Sequence, residues 1–92
     1  MLYMVIERFP AYRDGYKAVG ELFASRGRMM PEGSGLVYIA SWMASDGSGC
    51  YQLMEAPSRE AFDQWMRNWS SVTEFEVVQV EPSADFWKRV GN

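Results

Sequence analysis

Histidine is absent from the 92 residues of this chain. That absence removes Ser-His triads, most zinc sites, haem on a proximal imidazole and the commonest general base at neutral pH. Cysteine occurs once, at Cys50, which excludes an internal disulfide framework and suits a reducing cytosol. The nine basic residues are scattered and the net charge is −3, so neither nucleic acid nor an anionic membrane surface is an expected partner. No long hydrophobic run exists. The longest, LVYIASWMA, is far too short to span a bilayer, and LYMVIERF follows Met1 with no basic segment or cleavage site of a signal peptide.

What is present is apolar bulk. Hydrophobic residues make up 48% and aromatics 15%, with four Trp, five Tyr and five Phe. The length implies one domain, residues 1–92. So short a chain buries only roughly 60–65% of its unfolded surface. Aromatic richness on that scale points to apolar surface meant for a partner or a ligand.

The spacing predicts a strand over 2–9, closed by Pro10. A helix follows from about Ala11 to Arg26, with Tyr16, Val19, Leu22 and Phe23 at helical intervals and Gly27 as its C-terminal cap. A second strand, LVYIASWM (36–43), turns through ASDGSG into a third, CYQLMEA (50–56). Ser58 is placed to cap a second helix whose apolar face is Phe62, Trp65, Met66, Trp69 and Val72. A fourth strand covers 74–82, and Ser83 opens a short tail helix in which Phe86, Trp87 and Val90 could dock. The order β-α-β-β-α-β is that of an α+β, ferredoxin-like domain: a four-stranded antiparallel sheet with both main helices on one face and a short C-terminal helix.

Two helices cover one face only. The other should then alternate apolar with polar if it met water. It does not: Leu36, Tyr38, Ala40 and Trp42 oppose Val37, Ile39 and Met43, and Tyr3, Val5 and Phe9 oppose Leu2, Met4 and Ile6. A second copy of the chain is the expected cover, enclosing a space between facing sheets; the alternative is that the tail helix folds back over that face. A two-residue Asp46-Gly47 loop pairs Trp42 with Tyr51 and Tyr38 with Glu55. Met4, Ile6, Val37 and Ile39 then lie under the helices, and Tyr3, Glu7, Tyr38, Trp42, Tyr51 and Glu55 look outward. This register leaves Gln52 under the helices in need of a hydrogen-bond partner. A slip of one residue brings Gln52 and Met54 to the outward face instead.

MLYMVIERF, RGRMMPEG, YIASW, CYQLME, FDQWMRNW and FEVVQV, in this order, resemble the family known as domain of unknown function 3303. The chain departs from that pattern at 33–35, where Gly-Ser-Gly lengthens the join to the second strand. The family is similar in plan to the dimeric α/β barrels, which include cofactor-free monooxygenases, muconolactone isomerase-like enzymes, haem-degrading enzymes and plain ligand-binding modules. The resemblance implies the fold and a homodimer, and it implies no one reaction.

Among the residues with chemistry, Glu7 and Glu55 are the candidate catalytic carboxylates, since a strand carboxylate on a semi-enclosed face can be desolvated into a base or an acid. Either they act so, or they are rim carboxylates paired with arginine, as Glu76 is expected to be. Trp65 and Trp69 belong to a helix stripe and read as core, while Trp42 reads equally as pocket wall or interface. Cys50 has no His or clustered cations to activate it and reads as packing. The glycines of 33–35 precede a strand, so they form no phosphate cradle. In RGRMMPEGSGL (26–36) the structural reading is a capped turn plugged by Met29 and Met30; the functional one makes Arg28 an anion clamp with Glu32 as its partner when empty.

The expected ligand-binding set is therefore Tyr3, Arg28, Tyr38, Trp42, Tyr51 and Gln52, with no metal site and no cofactor. The leading reading is a small cytosolic homodimer holding a small organic molecule in an aromatic-lined pocket; the alternative is a cofactor-independent monooxygenase- or isomerase-like enzyme using strand carboxylates.

Overall fold

A computed structural model describes residues 1–91. Strand β1 spans Leu2–Arg8 and leads through a short 3-10 turn, Ala11–Arg13, into helix α1, Gly15–Arg26. Strands β2 (Val37–Met43) and β3 (Gly49–Glu55) form the hairpin. A 3-10 turn, Arg59–Phe62, runs into α2 (Asp63–Trp69), and β4 (Glu74–Val80) and α3 (Ser83–Arg89) complete the chain. The sheet is antiparallel throughout, ordered β2-β3-β1-β4, as in a ferredoxin-like domain.

Local chemistry accounts for most boundaries. Gly27 ends α1 as expected, at φ 66° with its N–H donating to the Phe23 carbonyl at 2.7 Å. The Asp46-Gly47 turn also forms where expected, with Gly47 at φ 77° and the Ser48 N–H donating to Asp46 Oδ1 at 2.9 Å. Three expectations change. The first helix is not continuous from Ala11, because Asp14 and Gly15 both take positive φ and break it. Ser58 stands at the start of the 3-10 turn without a side-chain capping bond. Ser83 is the first residue of α3, with Pro82 in the cap position.

The register decides which side chains share a face. β1 sets Tyr3 opposite Met54 and Gln79, Val5 opposite Gln52 and Val77, and Glu7 opposite Cys50 and Phe75. These residues lie on the helix side, where Tyr3, Val5, Met54, Phe62, Trp65 and Trp69 make the core. Tyr3 meets the Phe62 ring edge-on at 5.1 Å. The expectation that Tyr3 and Glu7 look outward is therefore overturned, and Met4 and Ile6 take the open face. A strand apolar on both sides carries no internal mark of which side goes down; here the aromatic stripe before and within α2 takes Tyr3 and Met54.

The hairpin was half legible. Trp42 pairs with Tyr51 as expected, and both face away from the helices. A bulge between Tyr38 and Ala40 then shifts the ladder, so that Tyr38 opposes Met54 and Val37 opposes Glu55. One extra residue flips the first half of β2 and carries Tyr38 to the helix side. Gln52, buried there, donates to Met54 Sδ at 3.2 Å.

The open face stays open. Trp42 is 56% exposed and Tyr51 47%, so α3 does not fold back over them. No residue of α3 is buried, and the radius of gyration, 14.5 Å, exceeds the about 12 Å of a compact chain this long.

Phe62, fully buried, should be the costliest aromatic to truncate. Phe62→Ala is expected to lose about 3–5 kcal/mol in urea unfolding, and Phe86→Ala on α3 under about 1 kcal/mol. Equal losses would contradict the core assigned above.

Candidate functional site

Between the sheet and the two main helices lies a cleft of about 250 Å³. Its sheet wall is Glu7, Ser41, Cys50 and Gln52; Val19 and Phe23 of α1, and Trp65 and Trp69 from α2, supply apolar sides. Glu7 sits here because β1 is a central strand, paired on both edges, which holds its backbone in place. Gly49 helps: a Cβ at that position would run into the Glu7 backbone carbonyl. Among the described residues the Glu7 carboxyl has no salt-bridge partner. Burial pushes it up to about 7, and the Arg28 guanidinium pulls it back only in part.

Arg28 is held from behind. Its carbonyl accepts from Trp65 Nε1 at 2.9 Å and Trp69 Nε1 at 2.8 Å, while Asn68 Nδ2 donates to the Met29 carbonyl at 2.9 Å. Met29 takes φ 56°, a left-handed conformation that costs a non-glycine residue of the order of 1 kcal/mol and needs such clamping. The guanidinium carbon of Arg28 lies 3.8 Å over the Tyr38 ring and 5.5 Å from that of Phe23. The expected partner role of Glu32 is not found: among the described residues no carboxylate is within ion-pair distance of Arg28.

The family model for Domain of unknown function (DUF3303) matches residues 1–91. The chain belongs to that family. No curated protein and no solved structure matches it.

Of the site residues expected for this DUF3303 chain, Arg28, Gln52 and Glu7 meet in or at the cleft, with Tyr38 as the platform under Arg28. Tyr3 is a core residue, only 3% exposed. Trp42 and Tyr51 lie on the opposite, open face. So does Glu55, paired with Leu2 and Val37, and it cannot act on the same ligand as Glu7 through the sheet. Glu76 is a rim carboxylate, 3.4 Å from Arg8. Burial and the neighbouring Glu7 push the Cys50 thiol up, which leaves it protonated and a poor nucleophile. Sequence reasoning missed the second role of Trp65 and Trp69: both are core, and both indoles clamp the loop. The available signal was that buried indoles need an acceptor. Among the described residues no helix is long and apolar enough to cross a membrane, and no group of three or more acidic or Cys side chains gathers as metal ligands.

Glu7 gives stability a pH signature. Its pKa is near 4.5 unfolded and about 7 folded, so between those values the native state holds a proton that the unfolded chain has released. Its contribution is fully present below pH 4.5 and is lost as pH rises through 7. The loss is on the order of 3 kcal/mol at about 1.4 per unit. Glu7→Gln should match the parent at pH 4 and exceed it at pH 8 in chemical denaturation. Parallel profiles would show that Glu7 is not desolvated.

Proposed function

We propose that this chain is a cytosolic homodimer that binds a small organic molecule in the cleft between the sheet and helices α1 and α2. One observation carries the reading: a carboxyl with no ion-pair partner, raised to about 7, lies in an aromatic-walled cleft beside a cation whose carbonyl accepts two indole hydrogen bonds, with a third side-chain bond at the next carbonyl. Folding gains nothing from desolvating Glu7, so a ligand is the natural beneficiary. The cleft takes over the role expected for a space between facing sheets.

The dimer rests on the other face. Val37 (50% exposed), Ile39 (44%), Trp42 and Tyr51 make an apolar surface that a water-borne chain gains by covering, and a two-fold pairing covers both copies at once. The single, buried, unpaired Cys50 suits the cytosol.

A second reading is a proton-transfer enzyme. A group with pKa about 7 is poised to take and return a proton at neutral pH, as a cofactor-independent isomerase or oxygenase would need. Under it, Glu7→Gln keeps ligand affinity and loses turnover, while Glu55→Gln changes neither.

Native mass spectrometry of gently purified protein tests the leading reading. A dimer carrying a discrete organic adduct is expected, and the adduct should be lost when Phe23→Trp fills the cleft. Trp42→Glu should give monomers that keep the parent's far-UV spectrum. A monomeric parent would remove the dimer, and failure of any fragment in a broad panel to quench Trp emission would remove the cleft as a binding site.

A further inference from the structure

We infer that the molecule held in the cleft is a small organic carboxylate with an apolar body, received by the free edge of the Arg28 guanidinium and by the carboxyl of Glu7. This rests on the binding reading above and adds the chemical class and a proton.

Arg28 comes first. Its guanidinium carbon lies over the face of the Tyr38 ring, 3.8 Å from the ring centre, close enough for the planar group to stack. Stacking uses the faces of a guanidinium and leaves its in-plane N–H donors available. Five of the other six arginines engage those donors: Arg8 with Glu76, Arg59 with Asp63, Arg89 with Glu81, Arg13 with the Ser70 carbonyl, Arg67 with Gln64; the sixth, Arg26, is exposed in the last turn of α1 and lines no part of the cleft. Among the described residues the Arg28 guanidinium has no such acceptor, although two indole N–H groups fix its backbone carbonyl beside the cleft. A planar fork of donors matches a carboxylate.

Glu7 comes second. Around its carboxyl, α1 offers Val19 and Phe23 and α2 offers Trp65 and Trp69, none of them ionisable; β3 offers Cys50, whose thiol is neutral, and Gln52. Arg8 and Glu74 lie in a neighbouring hollow at the end of the sheet. Arg28 is thus the one charged side chain that shares the cleft with Glu7 among the described residues.

Charge balance then selects the ligand. A carboxylate on Arg28 with neutral Glu7 makes a net-neutral group at the mouth of the cleft, and the Glu7 O–H can donate to the ligand. An amine would set two cations against one carboxylate. A phosphate dianion would find a single arginine and no lysine lining the cleft. Since Glu7 is held up at about 7, ligand binding above that pH draws a proton from solvent onto its carboxyl.

Benzoate, benzamide and benzylamine share one apolar body and separate these cases. Calorimetry at pH 6 should show benzoate binding at least about tenfold more tightly than either of the others, a gap of roughly 1.4 kcal/mol. Its affinity should fall about tenfold from pH 6 to pH 8, with nearly one proton taken up per ligand at pH 8 in buffers of different ionisation enthalpy. Glu7→Gln should flatten that pH dependence. Arg28→Met should erase the preference for benzoate; if it fails to fold, Arg28→Lys should keep the charge and lose most of the gap to benzamide. Benzamide or benzylamine binding as tightly as benzoate would overturn the carboxylate assignment and leave the cleft a binding site. No binding by these three or by any fragment of a broad panel would overturn the binding reading, and this inference with it.

Discussion

Two indole N–H groups converge on one carbonyl oxygen, that of Arg28, and the shape of the cleft depends on that junction. Trp65 and Trp69 are 3% and 7% exposed, so neither N–H has water to fall back on. Each would cost about 1–3 kcal/mol if left without an acceptor. Moving the loop would therefore strip two buried donors at once, and Asn68 adds a third bond at the next carbonyl. This is why Met29 tolerates a left-handed backbone and why the Arg28 side chain lands on Tyr38.

Against that fixed wall stands a carboxyl that cannot withdraw. Glu7 lies in a strand paired on both edges, and Gly49 lets the neighbouring strand close against its backbone without a side chain between them. A surface glutamate finds water or a cation by rotating; this one is fenced by Phe23, Trp65, Trp69 and Cys50. Desolvation outweighs the pull of Arg28 for that reason. The site is thus held by backbone pairing on one side and by indole hydrogen bonds on the other, with the titratable group between.

The two faces of the sheet have separate tasks. The helix side supplies the core and, at its edge, the cleft. The open side keeps Trp42, Tyr51 and Val37 on the surface, and α3, none of whose residues is buried, leaves them uncovered. Glu55 belongs to that second side, which is why two carboxylates of similar sequence setting differ so much in surroundings.

By itself the sequence determined the element order, the Gly27 cap, the Asp46-Gly47 turn and the Trp42–Tyr51 pairing, because each depends on residues close along the chain or on one turn between them. It also marked Arg28, Gln52 and Glu7 as residues with chemistry. Only the tertiary structure decided which face of each strand goes inward. Strands apolar on both sides leave that choice to the helix that packs on them, and the bulge at Ile39 reversed half of β2 with no Gly or Pro to announce it. The junction at Arg28 was equally out of reach: its partners lie 37 and 41 residues away, and a carbonyl oxygen, common to every residue, carries no mark in the sequence of the donors it will receive.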